Sequence, residues 1–359
     1  MSSTNRNQGF HTATEIHSEP RCWAECLRGL REDGQIERIL REFSHRRGWL
    51  FIGCGSSYYL SLVAAASWRE LTGLSAQAIP ASELLLFSSL ILDEHSNLQP
   101  VLISRSGHTS EVLQAAEYLR ARGVPRIAIT CAPGQPLEEM ASATVCLSHA
   151  DEKSTVMTRS FSSMLLGIQF LAAKFANNTE FLDSLDAMPG SVQPVLDEMV
   201  PAVQLFVDSR DFADYVWLGQ GPYYGLACEG ALKVMEMSCS YAQSFHTLEF
   251  RHGPKSIVGP ETLIMFLLSE AGLEAEREVL EEVKALGGAT LVVANEADER
   301  TRQAADLLFE LRLTGHEYSR LVAHILPAQL VGLYTGLKKG ADPDRPRHLS
   351  RVVILNDRS

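Results

Sequence analysis

The chain lacks the features that mark several large functional classes. Its 359 residues include only seven cysteines, Cys22, Cys26, Cys54, Cys131, Cys146, Cys228 and Cys239. No C-x-x-C pair occurs among them, so neither a zinc site nor a disulfide framework is indicated. Scattered thiols, odd in number, fit reduced and mostly buried side chains in a cytoplasmic protein. No apolar run reaches the ~18 residues that a membrane span needs. The start, MSSTNRNQGF, has no basic-then-apolar signal pattern. A cytoplasmic location without a membrane partner is therefore expected. Excess positive charge is missing too. The formal net charge is −12, which argues against non-specific nucleic-acid binding. It leaves room for a phosphate ligand, because a local nest of backbone N–H groups outweighs a distant acidic surface.

What is present is an ordinary globular composition, 45% hydrophobic and 21% charged. At roughly 150 residues per domain the length suggests two domains. Trp49-Leu-Phe-Ile-Gly reads as a buried strand that enters Cys54-Gly-Ser-Ser and a helix over 58–71. Pro100-Val-Leu-Ile-Ser enters Arg105-Ser-Gly-His-Thr and a helix over 110–121. Further strands are expected at 126–130 and 143–147, and a helix over 160–176. A polar stretch, 177–193, reads as a boundary. The plan then restarts: Asp214-Tyr-Val-Trp-Leu-Gly enters Gln220-Gly-Pro-Tyr-Tyr-Gly and a helix over 226–239. Strands at 262–268, 289–294 and 307–313 follow, with a helix over 273–286. Apolar strands alternating with helices predict an α/β fold with parallel sheets covered on both faces. Phe51-Ile-Gly-Cys-Gly and Val216-Trp-Leu-Gly-Gln-Gly lie roughly 165 residues apart and read as a duplicated α/β unit. The expected division is a flexible start over 1–12, a first domain over 13–193, and a second over 194–359.

Two hydroxyl-rich turns stand at strand ends, Gly55-Ser56-Ser57 and Ser104-Arg105-Ser106-Gly107-His108-Thr109. Ligands of parallel sheets bind at the carboxyl ends of strands. Helix N-termini there offer unpaired N–H groups and a positive dipole end, so phosphate fits without a lysine. Plain helix capping explains either cluster alone; both in one α/β unit favour phosphate. No Walker lysine follows, and Tyr58 stands where a third dinucleotide-binding glycine would be, so neither nucleotide motif is complete. Farther on, Glu229, Lys233 and Glu236 are spaced i, i+4, i+7 and share one helix face. A partly buried carboxylate beside an ammonium is the base that proton transfer between C1 and C2 of a sugar phosphate needs. The plainer alternative is a surface Glu–Lys pair worth ~0.3–0.5 kcal/mol. His252, before Gly253-Pro254, sits on a turn and suits the proton shuffle of ring opening, or a structural role.

Together these pieces resemble the sugar-isomerase (SIS) domain family, most of all the isomerase half of glucosamine-6-phosphate synthase. The likeness covers about Glu15 to Val353. It rests on Gly55-Ser-Ser, Ala81-Ser-Glu83, Ser104 to Thr109, Glu229-Gly-Ala-Leu-Lys233, Glu236, His252-Gly-Pro and Asp342-Pro-Asp-Arg-Pro-Arg347. It implies two tandem SIS subdomains, each a mostly parallel sheet in a flavodoxin-like three-layer α/β/α arrangement, and a homodimer with a shared active site. By position it implies that Ser57, Ser104, Arg105, Ser106 and Thr109 hold the phosphate. Gly55, Ser56, Glu152, Thr158 and Arg351 line the rest of the substrate site. Glu236 is implied as the base, tuned by Glu229 and Lys233. His252 opens the ring from the partner subunit. No metal or organic cofactor is implied.

Three departures stand out. No glutaminase half is expected, since residue 2 is Ser, so glutamine-dependent synthesis is not expected. Arg351 replaces the tail lysine of the synthase, and a guanidinium forms no imine. Glu152-Lys-Ser-Thr-Val-Met-Thr158 alters a pocket wall while keeping Glu152 and Thr158. Arg105 also stands where the synthase carries Gln, adding charge or only its backbone N–H. The leading expectation is an aminosugar-6-phosphate deaminase/isomerase. An aldose–ketose isomerase and a fructosamine-6-phosphate deglycase are alternatives. A non-catalytic phosphosugar sensor is the alternative of another class.

Overall fold

The long apolar runs form buried parallel strands, and the small residues after them let helices start against the strand ends. The structure is a computed structural model that describes residues 8–92 and 97–355. In chain order the first elements are α1 (Phe10–His17), α2 (Glu19–Glu32), α3 (Gln35–Phe43), β1 (Gly48–Gly53), α4 (Ser56–Thr72), β2 (Ser75–Pro80) and α5 (Ala81–Leu86). Next come β3 (Leu98–Ile103), α6 (Ser110–Ala121), β4 (Ile127–Thr130), α7 (Pro136–Met140), β5 (Ala143–Cys146), α8 (Arg159–Phe175) and α9 (Thr179–Ser209). The rest are β6 (Asp214–Gly219), α10 (Tyr223–Ser238), β7 (Ala242–Phe245), β8 (Thr262–Leu267), α11 (Leu273–Ala285), β9 (Ala289–Ala294), α12 (Glu299–Ala304), β10 (Leu307–Glu310) and α13 (Leu326–Lys338). Short 3₁₀ turns join several of them.

The chain divides into two compact units. The first holds Arg21–Glu152, Arg159–Asp186 and Ser350–Ser359; the second holds Met1–Pro20, Lys153–Thr158 and Ala187–Leu349.

The first unit carries a five-stranded parallel sheet in the order β2-β1-β3-β4-β5. Every residue of β1 is buried, as a strand covered on both faces requires. Leu50, Ile52, Leu102 and Ala128 pack with Val112, Ala115 and Leu119 of α6. Trp49 of β1 lies against Trp68 of α4, ring centroids 3.9 Å apart. The second unit repeats the plan as β10-β9-β8-β6-β7, also all parallel. Val216, Leu218, Ile264, Phe266 and Val292 pack with Val279, Leu280 and Val283 of α11. Each sheet therefore has one place where strand order reverses, β1/β3 and β6/β8, and ligands of such folds sit there.

Two strand-end glycines show the duplication at atomic scale. A Cβ on Gly53 would lie 2.5 Å from the Ser57 backbone carbon, and one on Gly219 would lie 2.4 Å from the Tyr223 carbonyl oxygen. Each helix begins so close to its strand that only glycine fits.

The expected α/β fold with parallel sheets is the observed one. Ser18 separates α1 from α2, and Pro20 falls in the first turn of α2, where its missing N–H costs nothing. The chain is helical from Phe10 onward, and residues 1–7 lie outside the described residues. α1 is held by carboxylates from the other end of the chain. Gly9 N–H donates to Asp342 (3.0 Å), and Thr12 N–H and Oγ1 both donate to Asp344 (2.7 Å). From Thr179 on, the polar stretch at 177–193 lies in α9, a helix of 31 residues that holds Pro189, Pro194 and Pro201.

Candidate functional site

β1 and β3 are in register, with Ile52 opposite Leu102, so the two serine turns leave the sheet side by side. Ser56 and Ser57 open α4 and are 7% and 5% exposed. The residue before them, Gly55, gives the helix no side-chain cap. At the second turn, Ser104 and Arg105 are buried. Gly107 adopts φ 64°, and its amide donates to the Ser104 carbonyl at 3.2 Å. Thr109 precedes α6 but makes no side-chain cap. Its hydroxyl pairs with Ser104 Oγ at 3.0 Å instead. The capping explanation therefore fails for Thr109. A hydroxyl pair faces the helix start, where α6 presents backbone donors and its positive dipole end.

Arg105 does something its sequence position did not announce. Its guanidinium donates to Glu152 Oε2 at 3.2 Å and to the Arg351 carbonyl at 2.8 Å. Both side chains of the Arg105–Glu152 pair are almost fully buried, 5% and 0% exposed. Glu152 also accepts the Ser160 N–H at 3.2 Å and the Ser160 hydroxyl, at the start of α8. Arg351 turns its own guanidinium to Asp151. Asp151, Ser160 and Ser110 were not anticipated, and nothing in their spacing signals them.

In the second unit, α10 carries the triad. Lys233 is wholly buried and lies 3.1 Å from Glu229 Oε1 and 2.5 Å from Glu236 Oε2. Burial pushes the Lys233 ammonium towards neutrality, but the Glu229 and Glu236 carboxylates more than reverse that, so its pKa lies above the ordinary lysine value. Lys233 stays charged. Glu229 is as buried as Lys233, whereas the Glu236 side chain is 19% exposed. Of the three, Glu236 alone presents its carboxylate to an incoming molecule. A surface Glu–Lys pair is excluded by that burial.

α13 packs closely along α10 at two glycines. A Cβ on Gly332 would sit 2.9 Å from the Lys233 carbonyl, and one on Gly336 would sit 2.3 Å from that of Met237. The Lys233 backbone is thus covered by α13, and its side chain is 1% exposed. Neither amide atom of buried Gln329, one turn earlier on α13, has a hydrogen-bond partner among the described residues. His252 caps the 3₁₀ turn Glu249–Arg251 and is exposed. The turn is pinned to α11 by Arg251, which pairs with Glu278 at 3.3 Å and Glu282 at 2.9 Å. Thr158 is fully buried. No described helix is long and apolar enough to cross a membrane.

The SIS domain family model matches residues 42–174 and 215–333, one stretch around each switch point. The chain belongs to the SIS domain family. The first SIS stretch contains both serine turns, Glu152 and Thr158, and the second contains Glu229, Lys233, Glu236 and His252. Arg351 lies outside both. Glutamine–fructose-6-phosphate aminotransferase (isomerizing) of Methanothermobacter thermautotrophicus is 27% identical over 95% of this chain, which spans 57% of that relative's length. The glucosamine-6-phosphate deaminase structure from Thermotoga maritima is 28% identical, with a TM-score of 0.78, covering 96% of this chain and all of that one. The tagatose-6-phosphate ketose/aldose isomerase structure from Escherichia coli has a TM-score of 0.83 at 22% identity, covering 97% of each chain. That likeness concerns the fold alone. The tandem SIS architecture expected from the motifs is therefore present.

Proposed function

We propose that the chain is an aminosugar-6-phosphate deaminase/isomerase, converting glucosamine 6-phosphate or a close relative to a ketose 6-phosphate and ammonia. The observation that carries this reading is the triad: a partly exposed carboxylate, Glu236, fixed by a fully buried ammonium that is itself neutralised by Glu229. The 28% identity to a solved glucosamine-6-phosphate deaminase over 96% of this chain supports deamination.

In this reading the phosphoryl group rests on the hydroxyls of Ser57, Ser104, Ser106 and Thr109 and on backbone N–H groups of the two turns, including that of Arg105. Gly55 lets the first turn approach, and Ser56, Glu152, Thr158 and Arg351 shape the surroundings. His252 moves a proton between ring oxygen and anomeric hydroxyl as the sugar opens. Its exposure suits delivery to the substrate of a second copy in a homodimer. Glu236 then takes the proton from C2 and returns it to C1. The C2 amine becomes an imine, water adds to it, and ammonia leaves as the C2 carbonyl forms. The sugar's own carbonyl stabilises the enediol-like intermediate. Lys233 holds the Glu236 carboxylate in place.

The test is a panel of hexose and hexosamine 6-phosphates scored for ammonia and ketose. Release of ammonia from a hexosamine 6-phosphate, lost by about 10²–10⁴-fold in Glu236→Gln, is expected. Ketose without ammonia from neutral sugars alone would assign plain isomerisation. No turnover on any member would remove the enzymatic reading and leave a phosphosugar sensor.

A further inference from the structure

The last described residues, 350–355, lie on the serine turn of the first unit. The Ser110 N–H, first in α6, donates to the Val353 carbonyl at 3.2 Å, and the Leu355 N–H donates to Ser110 Oγ at 2.9 Å. Arg351 pairs with Asp151 through its side chain and accepts from Arg105 through its carbonyl. Together with Ser106, His108 and Gln135, this strap borders an open pocket of about 340 Å³ that Asp151 and Ala132 also line. Its inner anchor is the buried Arg105–Glu152 pair, which Ser160 fixes from α8.

We propose that Arg105 is a positioning residue: its guanidinium ties the strap to the serine turn and leaves the phosphoryl group to hydroxyls and amides. The planar fork makes this possible, because one guanidinium reaches a carboxylate and a carbonyl at once in fixed directions. A lysine ammonium supplies one point charge and loses that geometry, yet remains an adequate phosphate ligand. The two roles therefore part company in Arg105→Lys, a variant that keeps Glu152 neutralised. The strap's detachment is read without any substrate. Only the kinetic readout rests on the proposed reaction, so the failure of one is distinguishable from the failure of the other.

In the full-length protein, amide exchange of residues 350–355 is expected to accelerate about tenfold or more in Arg105→Lys, while the amides of β3 and of the last turns of α6 stay at the parent rate. Titration with inorganic phosphate should show affinity within about threefold of the parent, because the hydroxyls and amides that hold the anion are unchanged. On a turned-over sugar phosphate, kcat should fall about five- to tenfold with KM moving less than about twofold. Ser110→Ala, which loosens the strap from its other side, should reproduce the exchange and kcat effects if Arg105→Lys folds poorly. An unmoved strap overturns the proposal. So does a freed strap with unchanged kcat, and so does a loss of phosphate affinity beyond about tenfold, since each returns Arg105 to a structural or phosphate-binding role.

Discussion

The two switch points of this chain are built on one backbone plan and end in opposite chemistry. At β1/β3 the turns carry Ser56, Ser57, Ser104, Ser106 and Thr109, and Ser104 pairs with a neighbouring hydroxyl. At β6/β8, aligning Gly53 with Gly219 puts Pro222 and Tyr223 where Ser56 and Ser57 stand. By strand register Leu268 stands at Ser104, Ser269 at Arg105 and Glu270 at Ser106. Ser269 is already occupied: its N–H and hydroxyl both donate to the buried Glu276 carboxylate, at 2.9 and 2.7 Å. Tyr223 Oη donates to Glu317, which also accepts the Glu270 N–H at 2.7 Å. The second switch point holds carboxylates of its own where an anion would go, and like charge would repel a phosphate. The helices divide the other way. Glu229 and Lys233 of α10 fall opposite Val63 and Ser67 of α4, and Glu236 falls opposite exposed Glu70. On the proposed function, one copy of the duplication holds the anion site and the other holds the base. The backbone supplies the opportunity twice, and a few side chains decide what it is used for.

The sharpest way to break this comparison is at the helices. Lys233→Met should destabilise the protein by about 3–5 kcal/mol, because it strands buried carboxylate charge. Ser67→Ala, at the matching place in α4, removes only the hydrogen bond from Gln169 (3.2 Å), and should cost about 1 kcal/mol. Urea melts of the two variants give the ratio, and equal losses would deny that Lys233 is a buried charge hub.

The turns come next. Thr109→Val should weaken inorganic phosphate binding about ten- to a hundredfold, the worth of a hydrogen bond to a charged group. Ser269→Ala should leave that affinity unchanged. A calorimetric titration checks both, and a phosphate affinity that depends on Ser269 would contradict the division of labour.

The smallest effect is a pH dependence. Burial, opposed by the Ser269 hydrogen bonds, raises the Glu276 pKa to about 7 from its ordinary 4.5. A carboxyl with a raised folded pKa binds its proton more tightly when folded, so stability falls as pH rises from 4.5 through 7. Glu276→Gln, a neutral mimic of the protonated acid, should flatten that slope. At pH 8 it should recover about 1–3 kcal/mol relative to pH 5, seen in melts across that range. An unchanged slope would mean that the carboxylate sits there charged at no cost. His324 works in the opposite sense. Burial lowers its pKa to about 4, so its share of stability is present above pH 6.5 and is lost as pH falls towards 4.

The sequence disclosed the strand–turn–helix units because buried parallel strands read as unbroken apolar runs, and because Gly53 and Gly219 stand at their ends. It disclosed the Glu229–Lys233–Glu236 cluster of α10 through the i, i+4, i+7 spacing. The edge strands β2 and β7 were not legible: Ser75-Ala-Gln-Ala-Ile-Pro and Ala242-Gln-Ser-Phe are short and poor in the branched residues that favour strands. α13 was hidden for another reason. It is buried almost all round, so no polar face marks its period, and Gly332 and Gly336 lower its helix propensity while permitting its close approach to α10. The Arg105 anchor was out of reach, because its partners Glu152 and Arg351 lie 47 and 246 residues away along the chain. Only folding brings such groups together.

The most direct measurement is the binding of a hexosamine 6-phosphate to Glu236→Gln beside its turnover. Affinity within about threefold of the parent with ammonia release lost is expected, since a base acts on the transition state rather than on ground-state binding. Undiminished ammonia release would contradict the assignment of the proton transfer to α10. A collapse of affinity would mean that Glu236 grips the sugar in the ground state, contrary to a serine turn that holds the ligand and a carboxylate that transforms it.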